Sequence, residues 1–149
     1  MLFRSRSAPA RPGTRPSATG VTILLVDDEE AVLEVEREIL RERGHKVHVA
    51  TNVPEATALL ESVEVDVIIA DFKLSGLLGG QELYGWVRHR RPGLTERLIF
   101  TFADGQSEEA ARFLAASGCS SLHKPFRVDE LLSAVHHALA PRKASALTE

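Results

Sequence analysis

The sequence predicts a doubly wound α/β fold, a five-stranded parallel sheet with helices on both faces. Three observations carry that reading. Short apolar runs alternate with amphipathic stretches from Val21 to Leu139. The run Val67-Ile68-Ile69-Ala70 is apolar at every position, as a parallel strand covered on both faces must be. Successive runs also finish on polar groups, Asp27, Asp71 and Thr101 among them, where such sheets gather their ligand-binding residues.

Residues 1–20 precede the first run. They are rich in Arg, Ser, Pro, Ala and Gly, and Pro9, Pro12 and Pro16 interrupt any regular pattern, so a disordered tail is expected there. Val21 to Val26 reads as a buried first strand, ended by Asp27-Asp28. Ala31, Val32, Val35, Ile39 and Leu40 then recur at helical spacing, with Glu34, Glu36, Arg37, Glu38 and Arg41 assigned to the outer side, and Gly44 stops the helix. A strand at Lys46 to Ala50 follows. Asn52 is placed to cap a second helix that tolerates Pro54 in its first turn and buries Ala56, Leu59 and Leu60.

Val65 to Ala70 makes the third strand and Asp71 ends it. After a Gly-rich loop, a helix is expected from Gln81 to Arg90, stopped by Pro92 and Gly93, then a strand at Arg97 to Thr101. A helix over Gln106 to Ser117, a short strand at Cys119 to His123 and an amphipathic helix from Val128 to Leu139 complete the alternation. Right-handed crossovers then return each strand beside an earlier one, which makes the sheet parallel. The domain is expected to occupy residues 21–140, with a short tail at 141–149.

Composition narrows the function. A hydrophobic share of 44% over 149 residues suits one ordinary core, and a lone Cys119 excludes an internal disulfide framework and argues for a reducing, cytoplasmic setting. No apolar run approaches the roughly 20 residues that span a bilayer, so membrane insertion is not expected. The net charge of -3 conceals an asymmetry: Arg4, Arg6, Arg11 and Arg15 lie in the acid-free first 20 residues, and removing those four from 18 basic residues leaves 14 against 21 acids. A body that acidic repels a phosphate backbone, so no nucleic-acid partner is expected.

The strand ends hold the chemistry. Asp27 and Asp28 follow the first strand, Asp71 the third, Thr101 lies on the fourth and Lys124 follows the fifth. Carboxylates crowded together raise one another's pKa or demand a cation, and an all-oxygen donor set suits Mg²⁺, with Mn²⁺ as a substitute. With two acids neutralised, Asp71 is the candidate nucleophile towards phosphorus, while Lys124 shares the charge that builds on the phosphoryl oxygens and Thr101 offers a hydroxyl.

The segments Ile23-Leu24-Leu25-Val26-Asp27-Asp28-Glu29, Val67-Ile68-Ile69-Ala70-Asp71 with Gly79 eight positions on, Thr101, and Lys124-Pro125-Phe126 together resemble the response-regulator receiver domain, the CheY-like family, over roughly Val21 to Ala140. The resemblance implies a flavodoxin-like strand order of 2-1-3-4-5. It also implies metal-site acids at Asp27 and Asp28, a phosphoacceptor at Asp71, a metal-binding backbone carbonyl at Lys73, a switch hydroxyl at Thr101, a phosphate-binding Lys124 and a cis bond before Pro125. The implied function is phosphorelay signalling: a histidine kinase or phosphotransfer protein donates to Asp71, and a changed surface binds a protein target. Beyond self-catalysed phosphoryl transfer and autodephosphorylation, no enzyme activity is implied.

Three positions depart from the family pattern. Ser75 replaces a proline after the acceptor, Phe102 places a ring after Thr101 where access to the site would narrow, and Ser121 stands where the family has its aromatic switch residue. The side chain of Lys73 is expected to lean over the site and modulate access as well. These departures keep open an alternative, a receiver-like interaction module that is not phosphorylated. An aspartyl-phosphate hydrolase ranks below both, because Lys73 occupies the place of a second carboxylate two residues after Asp71. His123, His136, His137 and Cys119 read as structural.

Overall fold

The computed structural model describes residues 20–74, 79–103 and 108–140. The expected tails at 1–20 and 141–149 therefore lie outside the described residues, apart from Gly20, and so does Ser75.

Five strands, β1 (Thr22–Val26), β2 (Lys46–Ala50), β3 (Val67–Asp71), β4 (Leu98–Phe102) and β5 (Ser120–His123), form one parallel sheet in the order β2-β1-β3-β4-β5. Between and after them run α1 (Glu30–Glu42), α2 (Val53–Ser62), α3 (Gly79–Arg90), α4 (Glu108–Ser117) and α5 (Val128–Leu139). The order and the parallel pairing are those the sequence implies. A 3₁₀ turn at Pro92–Arg97 carries the chain into β4, where the sequence had suggested only a helix stop.

The pleat sorts the core into two layers, because successive strand residues point to opposite faces. Ile23, Leu25, Val67, Ile69 and Ile99 meet Leu33 and Leu40 of α1 and Leu131 and Val135 of α5. Leu24, Val26, Ile68, Ala70, Leu98 and Phe100 meet Ala56 and Leu60 of α2, Leu83 and Val87 of α3, and Ala110 of α4. The Asn52 side chain accepts the Glu55 N–H at 2.8 Å, capping α2 as expected.

Beyond shifts of one or two residues at the strand ends, two further details differ from expectation. α3 begins at Gly79, two residues before Gln81, because its first turn lies directly on the loop after β3: a Cβ on Gly80 would fall 2.5 Å from the Phe72 carbonyl oxygen. α1 is rotated relative to the expected face. Val35 is 60% exposed, whereas Glu36, assigned to the outer side, is only 5% exposed. At roughly 100° per residue, Leu33, Glu36 and Leu40 share one narrow arc and Val35 lies opposite it.

Candidate functional site

Parity along the strands aims the site. Asp27 continues the Ile23, Leu25 series, Asp71 the Val67, Ile69 series and Thr101 the series from Ile99, so all three lie on the α1/α5 side at the carboxyl ends of adjacent strands. Asp71 and Thr101 are partners in the β3–β4 register. Phe102, one step along the pleat, belongs to the opposite layer: it is 4% exposed and stacks on Phe72 with ring centroids 5.1 Å apart. The access-narrowing role expected of Phe102 does not fit that placement, since the ring packs in the core.

Asp27, Asp28 and Asp71 converge so that one carboxylate oxygen from each lies within 4.8 Å of the others, with Asp27 buried and Asp28 exposed. Asp27 is doubly engaged. Its Oδ1 accepts the Glu29 N–H at 2.9 Å and its Oδ2 accepts Lys124 Nζ at 2.7 Å, so the lysine reaches across from the end of β5. The Lys124–Pro125 peptide is cis, as the resemblance implies. The backbone N–H of Lys73 donates to Asp71 Oδ1 at 3.4 Å, while the residue itself is exposed. Asp71 Oδ2 accepts no hydrogen bond from the described residues.

The electrostatics follow from this crowding. Burial raises the Asp71 pKa, the charges of Asp27 and Asp28 add to the rise, and Lys124 together with the Lys73 amide opposes it. Burial alone would lower Lys124, but the Asp27 hydrogen bond and the charges of Asp71, Asp27 and Glu36 outweigh it and hold the ammonium above its ordinary range. Glu36 is the residue that sequence reasoning missed. Burial first, then the charge of Asp27, lift its carboxyl to about 7, with Lys124 pulling the other way and Asp71 adding to the rise. The signal available in the sequence was its place three residues after Leu33 and four before Leu40.

An oxygen-only set of three carboxylates fits a hard divalent cation. The net result is an acidic pocket with a lysine lodged in it, at the strand ends of an open parallel sheet, where ligand sites of such folds lie.

Comparison with known proteins agrees with this geometry. The model of the response regulator receiver domain matches residues 23–136. A sensor histidine kinase of Pseudomonas aeruginosa, AruS, is 35% identical over 128 residues, which is 83% of this chain and 13% of that protein. The alginate biosynthesis transcriptional regulatory protein AlgB of the same organism is 32% identical over 127 residues, 85% of this chain and 28% of that one. This chain thus spans a small part of either relative. Among solved structures, a putative response regulator from Chloroflexus aurantiacus superposes with a TM-score of 0.72 at 30% identity, covering 83% of this chain and all of the other. A CheY-like receiver domain protein from Methanospirillum hungatei gives a TM-score of 0.72 at 28% identity, covering 81% and 94%. On the match over 23–136, the five-stranded order and the acidic pocket at its strand ends, the chain belongs to the response regulator receiver domain family of phosphorelay signalling.

Proposed function

We propose that Asp71 is the phosphoacceptor, taking a phosphoryl group from a histidine kinase or histidine phosphotransfer protein in the cytoplasm. The observation that carries this reading is the state of its carboxyl: Asp71 ends the central strand, beside two further acids and Lys124, with one oxygen unengaged by the described residues. That oxygen forms the new bond to phosphorus as the phosphorus–nitrogen bond of the donor phosphohistidine breaks, and the imidazole leaves with the electron pair.

Asp27, Asp28, Asp71 and the backbone carbonyl of Lys73 are the proposed magnesium ligands. Magnesium bound there supplies positive charge to the phosphoryl oxygens and relieves repulsion among the acids. Lys124, whose ammonium has three donors, turns to the phosphoryl group, and the Thr101 hydroxyl donates to the same group. Return of the phosphoryl group to water, by autodephosphorylation, uses the same residues. Output passes to an unidentified protein through the surface around β4 and β5.

The test is the intact mass of the protein after incubation with acetyl phosphate and Mg²⁺, for wild type and Asp71→Asn. A magnesium-dependent gain of one phosphoryl group, lost in the variant, is the expected result. No gain in wild type with acetyl phosphate or with candidate kinases turns the assignment to an unphosphorylated interaction module, a reading favoured by Ser121, which is exposed and has no ring to swing.

A further inference from the structure

Each of the three side chains assigned to the phosphoryl group has a ring beside it in the chain: Phe72 follows Asp71, Phe102 follows Thr101 and His123 precedes Lys124. The pleat sends these rings to the face of the sheet opposite the acidic pocket. There they form a row. Phe72 stacks on Phe102 with ring centroids 5.1 Å apart, and Phe102 meets its register partner His123 at 5.9 Å. The backbones beneath the rings are tied together as well, since the Phe72 N–H donates to the Thr101 carbonyl at 2.9 Å and the Lys124 N–H donates to the Phe102 carbonyl at 2.8 Å.

The row continues into the helices. Phe72 meets Phe113 of α4 at 5.3 Å, and Phe113 meets Tyr84 of α3 edge-on at 5.2 Å. Phe72 and Phe102 are buried whereas Phe113 and Tyr84 are half-buried, so contiguous rings run from the ends of β3 and β4 to the surface of α3 and α4. Gln81 of α3 donates to Glu109 of α4 at 3.2 Å on that surface. β5 has no comparable lever: Ser121, the register partner of Phe100, is exposed and carries no ring. A close-packed interior passes on a displacement that a loose one absorbs, and ring pairs hold to stacked or edge-on geometries, so a strand end that shifts carries its neighbours with it.

We propose that the rings of Phe72, Phe102, Phe113 and Tyr84 couple the phosphoryl state of Asp71 to α3 and α4, so that the α3/α4 face is the surface that changes on phosphorylation. This rests on the assignment of Asp71 as phosphoacceptor. When the Thr101 hydroxyl turns to the phosphoryl group, the end of β4 moves towards Asp71 and Phe102 moves with it against Phe72. Phe113, held between Phe72 and Tyr84, then shifts α4 relative to α3. Phe102 thereby takes the part for which Ser121 has no ring.

Hydrogen exchange read by mass spectrometry on the full chain tests the coupling. Exchange rates of peptides from α3, α4 and α5 are compared in Mg²⁺ alone and in Mg²⁺ with acetyl phosphate, with intact mass giving the phosphorylated fraction of each sample. In wild type, phosphorylation is expected to change exchange in α3 and α4 roughly fivefold, and in Phe102→Leu and Phe113→Leu by less than about twofold at equal phosphorylated fraction. Each variant is compared with its own unphosphorylated form, so a general loss of stability cancels. An undiminished response in either variant overturns the proposal, because the rings then only fill the core. A wild-type response confined to α5 overturns it too. If Phe102→Leu takes up no phosphoryl group, Phe113→Leu, which lies on α4 away from Asp71, decides alone. Wild type that gains no phosphoryl group overturns the acceptor assignment itself, whereas phosphorylated wild type with unchanged α3 and α4 overturns only the coupling.

Discussion

Lys124 and Asp27 form a pair whose side chains are 17% and 3% exposed, so neither charge is fully hydrated and each depends on the other. Truncating the lysine leaves the more deeply buried member unpaired. Lys124→Met is expected to lower stability by about 3 kcal/mol without divalent cations, and Mg²⁺ is expected to restore most of it by replacing the lost positive charge. Thermal melts in EDTA and in Mg²⁺ check this, and equal losses in both conditions would contradict it. The strand-end residues were legible in the sequence for a simple reason: a chain that leaves each parallel strand at the same edge delivers whatever follows the apolar run to one place. Which partner each side chain takes was not legible. Nothing local shows that Lys124 spans 97 positions to Asp27.

Among the elements, α1 and α3 set the site from opposite sides. α1 carries two overlapping apolar stripes, Val32-Val35-Ile39 and Leu33-Glu36-Leu40, and the hydrophobic pattern alone favours the first because it contains no acid. The sheet takes the second, burying Glu36, and the first is left lining the groove beside Phe126 and Val128. The choice belongs to tertiary packing, which is why the periodicity missed it. α3 presses its first turn on the segment Phe72–Leu74 that directly follows Asp71, and the Gly80 N–H donates to the Phe72 carbonyl at 2.9 Å. Gly80→Ala is expected to cost about 1–3 kcal/mol by forcing these backbones apart, and to slow acyl-phosphate formation by shifting Asp71. Chemical denaturation and the rate of mass gain with acetyl phosphate measure the two effects; a variant unchanged in both would refute the close approach.

At the scale of the whole molecule, two buried titratable groups pull the pH dependence of stability in opposite senses. The folded-state pKa of Glu36, about 7, lies above the ordinary 4.5, so the folded chain keeps a proton that the unfolded chain gives up. Its contribution is complete below pH 4.5 and is lost as pH rises towards 7, a loss on the order of 3 kcal/mol in the metal-free protein. His45 behaves inversely. Burial lowers its pKa below 6.5, its Nε2 has no partner among the described residues, and its contribution, present above pH 6.5, is lost as pH falls. The expected outcome is a stability that, between pH 4.5 and 7, falls more steeply with rising pH in His45→Leu than in wild type, and less steeply in Glu36→Gln than in wild type. Urea titrations across that range in EDTA decide it, and parallel profiles for the three proteins would rule out the compensation.

The division of the core into two layers also governs what can be seen. The single tryptophan, Trp86, and the single tyrosine, Tyr84, both sit on α3 and pack against the α2/α3/α4 layer, where Phe72, Phe100, Phe102 and Phe113 also meet. The α1/α5 layer, with Glu36 and Lys124 at its upper end, has Phe126 as its aromatic member. Intrinsic fluorescence is therefore a one-sided witness. It registers loosening around α3 and is blind to events along α1 and α5, so a silent emission spectrum during cation loading says nothing about whether Lys124 has moved. A reporter for that half has to be introduced, and Val35, exposed on the groove, is the position from which it would look in.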